Sequence, residues 1–144
     1  MTQAFDIVIV GAGMVGAALA TGLGRSGFRV ALVDRGSAPE LDPSLPPDIR
    51  VSALSAGSER YLNDLDVWPG MLAMRATPYA RLAVWDETRH PLSNLLPRKV
   101  ADVVFDASTL SARHLGHIVE NRITQQALWN SAASLPSVSM FPDN

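Results

Sequence analysis

Cysteine is absent from the 144 residues. That removes disulfides, thiolate metal sites, cysteine-ligated clusters and a cysteine nucleophile, and it fits a reducing compartment. Lysine is nearly absent: Lys99 stands against 11 arginines spread along the chain, so no polybasic anchor for an anionic surface is present. Charged residues amount to 18% with a net charge of −2, which leaves no electrostatic footprint for nucleic acid. Met1 to Asp6 lacks the basic start of a secretory leader. The apolar stretch Ile7–Ala20 carries three glycines and is too short to span a bilayer.

What the chain does have is apolar substance, 47% of its residues. This suffices for the packed core of one domain, or part of a larger one. Residues 5–10 (FDIVIV) form a β-branched run ending at Gly11 and read as a strand buried on both faces. Residues 14–26 are small and apolar with Gly27 behind them, the pattern of a helix with a glycine stop. Residues 29–33 (RVALV) give a second buried strand ending at Asp34. Strand, glycine turn, helix and strand make a βαβ unit.

Residues 36–49 hold four prolines and no periodicity, which predicts a long loop. Ser55 or Ser58 can cap a helix over 56–66, and Trp68-Pro69 opens a helical stretch to Arg75. Strands are expected at 80–86, at 102–106 paired with it, at 116–119 and at 137–141. A loop is expected at 88–99 and an amphipathic helix at 120–134, with Ile123, Ala127 and Leu128 on one face.

The βαβ unit carries the chemistry. Gly11, Ala12, Gly13, Met14, Val15 and Gly16 spell GxGxxG between a predicted strand and a predicted helix. Gly11 allows the tight turn, Gly13 lets a pyrophosphate approach the backbone, and Gly16 lets helix and strand pack closely. The helix N-terminus offers free N–H groups and partial positive charge to phosphates. Asp34, 21 residues after Gly13, can accept hydrogen bonds from ribose hydroxyls and would repel a 2′-phosphate. This fingerprint fits FAD and NAD alike, since both contain ADP.

The segments DIVIVGAGMVGAALATGLGRSGFRVALVDR, DIRVSALSAGSERYLNDLDVWPGM and GHIVENRITQQALW resemble the ubiquinone-biosynthesis hydroxylases. These are FAD-dependent aromatic monooxygenases of the 2-octaprenylphenol and 3-demethylubiquinone hydroxylase type. The similarity runs from residue 5 to the end of the chain. It implies an α/β fold: a Rossmann-like FAD-binding βαβ domain of the glutathione-reductase and p-hydroxybenzoate-hydroxylase type, incomplete, with a partial substrate-domain sheet. The implied organisation is an FAD-binding part at 1–79, an excursion into the substrate-domain sheet at 80–115, and a return to the FAD-binding domain at 116–144.

The resemblance also implies roles. Gly11, Gly13 and Gly16 would bind the pyrophosphate of FAD, Asp34 the adenosine ribose, where the family more often has Glu, and Arg35 would lie near the adenine. Arg50 would reach the flavin's phosphate or ribityl region. The family often carries an arginine where this chain has Asn121, with Arg122 beside it, and Gln125 matches a glutamine facing the cofactor. The alternative for these three is a solvated helix face. The Asp-Gly and Gly-Asp-Ala motifs of the family's later chain do not occur before Asn144, so the chain is expected to be the N-terminal part of such an enzyme and inactive alone. In the complete enzyme NAD(P)H would reduce FAD, and a flavin C4a-hydroperoxide formed with O₂ would hydroxylate a prenylated phenol or quinol. The implied location is cytoplasmic, peripheral to the inner membrane, with a ubiquinone-biosynthesis complex and the membrane surface as further partners. Two alternatives stand beside this one: a NAD-dependent or other flavoprotein oxidoreductase, and a non-catalytic nucleotide-binding or interaction fragment.

Other constellations are weaker. His114 and His117 are three apart, but Leu115-Gly116 argues against a helix and no third ligand is evident, so no metal site is expected. His117 is expected near the border of the cofactor domain. Ser52, Ser55 and Ser58 are explained by turns and caps. Trp68, Trp85 and Trp129 read as core or border packing, and Asp64 and Asp66 as a solvated helix end. No catalytic acid or base can be named.

Overall fold

A computed structural model of the chain describes residues 3–42, 44–84 and 103–142. The expected loop at 88–99 and Trp85 lie outside the described residues. The glycine-bounded run forms strand β1 (Ile7–Val10), followed by helix α1 (Met14–Arg25) and strand β2 (Val30–Val33). Next come β3 (Val51–Ser55), α2 (Ala56–Asp64), α3 (Trp68–Arg75), β4 (Ala76–Tyr79) and β5 (Arg81–Val84). They are followed by β6 (Val103–Asp106), β7 (Gly116–Glu120), α4 (Asn121–Ser134) and β8 (Val138–Phe141).

These strands make three small sheets. The parallel sheet runs β1-β2-β8, with Ile7 opposite Val30 and Val30 opposite Val138. The central β2 is buried along its length except at Val33, as a strand flanked on both sides must be. β1 is different. Val8 is 62% and Val10 83% exposed, so this strand is not buried on both faces as its sequence suggests. It lies at the sheet edge with α1 covering one face only, and the β-branched residues of its other face meet solvent.

The second sheet is antiparallel, with β7 between β3 and β4. Neither β3 nor β4 is legible in the sequence. β3 alternates in burial but three of its five residues are serine or alanine, and β4 contains Pro78, which an edge strand tolerates because one side of it makes no ladder bonds. β5 and β6 pair antiparallel as expected, through Leu82 opposite Phe105. Both carry exposed apolar side chains, among them Val84, Val103 and Phe105.

The core lies where α1, α3 and α4 pack against the sheets. Leu32, Met71, Val119, Ile123 and Leu128 are fully enclosed, each contributing about 1.5–3 kcal/mol by leaving water. α1 comes close to its neighbours because Ala17, Ala20 and Gly24 form its buried stripe. Ser137 seals that contact by donating to the Gly24 carbonyl at 2.8 Å. Ser55 is the cap of α2, accepting from the Ser58 N–H. Ser52 is not in a turn: it lies on β3, and its hydroxyl donates to Asn121 Oδ1 at 2.6 Å. Trp68 and Trp129 are buried in the core as expected. Asp66 adopts a left-handed φ of 60° just beyond α2 and pairs with Arg25 at 2.7 Å.

Candidate functional site

The glycine turn joins β1 to α1. Gly11 takes φ +100°, a conformation that side chains oppose, and its N–H donates to the Val33 carbonyl at 2.7 Å. A Cβ at Gly16 would stand 1.8 Å from the Gly11 carbonyl oxygen, so helix and turn touch with no room for a methyl group. At Gly11 and Gly13 the reverse holds: nothing lies within 4 Å of a Cβ built there. The outer wall of the turn is therefore open space bounded by backbone.

α1 begins at this opening. Gly13 is its cap, no acid lies in the first turn, and among the described residues no side chain caps the first-turn N–H groups. The helix thus presents unneutralised donors and partial positive charge to the space beside Gly13. Val15, at this end of the helix, is 84% exposed, while Met14 packs inward against the core.

Asp34 follows β2 and reaches across the same turn. Its Oδ2 accepts from the Ala12 N–H at 2.5 Å and its Oδ1 from the Gly36 N–H at 2.8 Å. The Ala12 bond first, then the Gly36 bond, hold the carboxyl below its ordinary pKa, and the nearby Arg35 charge adds to this. The carboxylate is therefore ionised and fixed, with remaining lone pairs free to accept hydroxyl protons. Arg35 is exposed beside it.

α4 supports the turn from below. Gln125 Nε2 donates to the Ala12 carbonyl at 3.3 Å, so Gln125 positions the backbone of the turn. Asn121 holds β3: its side chain accepts from Ser52, and its N–H donates to the Arg50 carbonyl at 2.9 Å. Arg122 turns elsewhere, donating to Glu120 Oε2 at 2.9 Å and to the Pro46 carbonyl at 3.1 Å. None of the three lies on a free solvated face. Arg50 is exposed, and among the described residues its guanidinium has no partner.

Two further clusters were not legible in the sequence. Glu120, buried at the end of β7, accepts from the Asp48 N–H at 2.9 Å and pairs with Arg75 and Arg122 at 2.8 Å each. The Arg75 approach to Oε1 is an ion pair without hydrogen-bond alignment. Burial pushes the Glu120 carboxyl up, but the Asp48 N–H and the two arginines outweigh it and the net shift is downward. In the second cluster Glu59 lies between His114 and His117. It is the third group that no spacing reveals, since it is more than 50 residues away.

Comparison with known proteins adds the following. Residues 9–39 match the family model of an NAD(P)-binding Rossmann-like domain. Over 139 residues the chain is 42% identical to 3-demethoxyubiquinol 3-hydroxylase of Escherichia coli, a match covering 96% of this chain and 32% of that protein. It is 36% identical over 130 residues to the mitochondrial ubiquinone biosynthesis monooxygenase COQ6 of Xenopus tropicalis, covering 86% of this chain and 25% of that one. The chain spans about a third or less of the length of these relatives. Its fold is also that of PqsL from Pseudomonas aeruginosa, described as a probable FAD-dependent monooxygenase. The TM-score is 0.65 at 18% identity, covering 96% of this chain and 33% of that one. The α/β, Rossmann-like reading and the similarity to ubiquinone-biosynthesis hydroxylases are thereby shown.

Proposed function

We propose that this chain is the FAD-binding part of an FAD-dependent hydroxylase that acts on a prenylated phenol or quinol in ubiquinone biosynthesis. The observation that carries the reading is the open glycine turn at an uncapped helix N-terminus with Asp34 fixed across it. The turn fits the group: the space a Cβ would fill at Gly13 is free, and among the described residues no side chain caps the first-turn donors.

In this reading the N–H groups at the start of α1 hold the pyrophosphate. Gly11 and Gly13 admit it, Gly16 holds the helix against the turn, and Asp34 accepts from the adenosine ribose hydroxyls. Arg35 lies by the adenine, and the exposed Arg50 reaches toward the phosphate or ribityl chain. Gln125 keeps the Ala12 carbonyl in place, and Asn121 keeps the Arg50 backbone in place. Arg122 acts at a distance, through Glu120 and the Pro46 loop. When bound, the flavin, with NAD(P)H as reductant and O₂ as co-substrate, supplies oxygen transfer to the aromatic ring. Docking at a membrane surface or in a biosynthetic complex belongs to the same proposal.

The test is a fluorescence titration of the purified chain with FAD, NADH and NADPH. The proposal expects saturable FAD binding and exclusion of NADPH, because the Asp34 carboxylate repels a 2′-phosphate. Tight NADH binding with no FAD binding would overturn it in favour of a dehydrogenase-type domain.

A further inference from the structure

Glu59 sits in the first turn of α2, His117 in β7, and His114 in the turn before β7. Glu59 Oε1 lies 2.5 Å from His117 Nδ1, and Oε2 lies 3.0 Å from His114 Nε2. The two rings meet edge to face with centroids 4.6 Å apart. One donor atom from each of the three residues falls within 4.8 Å of the others. We propose that Glu59, His114 and His117 bind a divalent cation of the zinc class.

The donor set favours that class. Two imidazole nitrogens and one carboxylate oxygen suit Zn²⁺, which takes such three-residue sets with a water in the fourth position. Calcium and magnesium prefer all-oxygen sites. A tetrahedral ion with bonds near 2.1 Å needs donors about 3.4 Å apart, and the donor spacings of 2.5 and 3.0 Å and the 4.8 Å limit bracket that value.

The surroundings hold the donors and leave a way in. His117 is fixed on β7 opposite Leu54 and Pro78, with Trp68 packed edge-on at 5.1 Å. The side chains of Glu59 and His117 are 11% and 10% exposed and that of His114 33%, so His114 is the most accessible of the three. An open cleft of about 420 Å³, lined by Ala56, Glu59, Arg60, Asn63, Asp64 and Trp68, reaches Glu59 from solvent, though neither histidine lines it. Without an ion, either ring, where neutral, can donate an N–H from the nitrogen that faces the Glu59 carboxylate. Coordination through His117 Nδ1 and His114 Nε2 requires each ring to carry its proton on the other nitrogen, with no net proton change. A ring that starts protonated would release one proton to solvent. The ion would clip α2 to the β3-β7-β4 sheet, and it uses none of the residues assigned to the nucleotide.

The experiment is calorimetric titration of the chelator-treated 144-residue chain with ZnCl₂, and visible absorption on adding CoCl₂. The expected result is a single saturating equivalent with the intense ligand-field bands of low-coordinate Co²⁺. Glu59→Gln and His114→Ala should each weaken Zn²⁺ binding roughly tenfold or more. His114 is partly exposed, so His114→Ala is expected to keep the native circular dichroism. His90→Ala, which changes the remaining histidine of the chain, should leave affinity unchanged. No saturable binding up to about 1 mM Zn²⁺, or binding that survives both Glu59→Gln and His114→Ala, overturns the proposal.

Discussion

Replacing either of two glycines in one turn by alanine should have unequal consequences, a loss of stability at Gly16 and none at Gly13. A methyl group at Gly16 would lie 1.8 Å from the Gly11 carbonyl oxygen and 3.0 Å from its carbon. The obstacle is backbone, so no rotamer change can relieve it. Gly11 cannot yield freely either, since its N–H is bonded to Val33 at 2.7 Å and its φ is +100°. α1 must move away by more than an ångström. Overpacking of this kind costs about 3 kcal/mol, and the better helix propensity of alanine returns about 1 kcal/mol. The net loss of about 2 kcal/mol lowers Tm by about 6 °C for a domain of this size. Gly13→Ala meets nothing within 4 Å at a φ of −66° that any residue adopts. It weakens the helix cap by up to about 1 kcal/mol and regains a similar amount by restricting the unfolded chain. Thermal unfolding followed by circular dichroism should separate them: Gly16→Ala melts several degrees lower, while Gly13→Ala melts with the parent. A Gly16→Ala chain as stable as the parent would refute the close-packing argument.

Glu120→Gln should destabilise the chain by about 3 kcal/mol, because Arg75 and Arg122 lose their shared buried counter-charge; urea unfolding reads it. The Glu120 carboxyl is held below its ordinary value, so its contribution is complete above that value and is lost as pH falls through the lowered one. Glu120→Gln should therefore flatten the acid limb of the stability profile, and an unchanged limb would contradict this. Asp34→Asn should cost about 1 kcal/mol through weaker bonds to Ala12 and Gly36. It should also relax discrimination against NADPH, as nucleotide titration would show. Ser55→Ala should cost about 1 kcal/mol by uncapping α2, checked by the same urea unfolding.

The βαβ unit was legible because its signals are local. A β-branched run, a glycine turn, a small-residue helix and a terminal acid each follow from neighbours in the chain, and β1, α1, β2 and Asp34 stand where those signals put them. The strand at β8 and its helix α4 were legible for the same reason. What escaped was non-local. β3 and β4 are strands because β7 pairs with both, and neither VSALS nor ATPY shows this alone. The exposure of Val8 and Val10 depends on which face of β1 a helix covers. The Glu59 cluster joins α2 to the turn before β7, and the Glu120 node gathers Asp48, Arg75 and Arg122 from three segments. Gln125 was singled out by resemblance as facing the cofactor. Its bond to the Ala12 carbonyl makes it a support of the turn, which only the packing of α4 beneath α1 reveals.

The most direct test of the central claim is amide chemical-shift mapping of the labelled chain on addition of FAD. The account predicts the largest shifts at Gly11 to Gly16 and at Asp34 to Gly36, and their loss in a Gly13→Val chain that remains folded. Shifts centred elsewhere, or none in a folded chain at saturating FAD, would contradict the assignment of this turn as the nucleotide site.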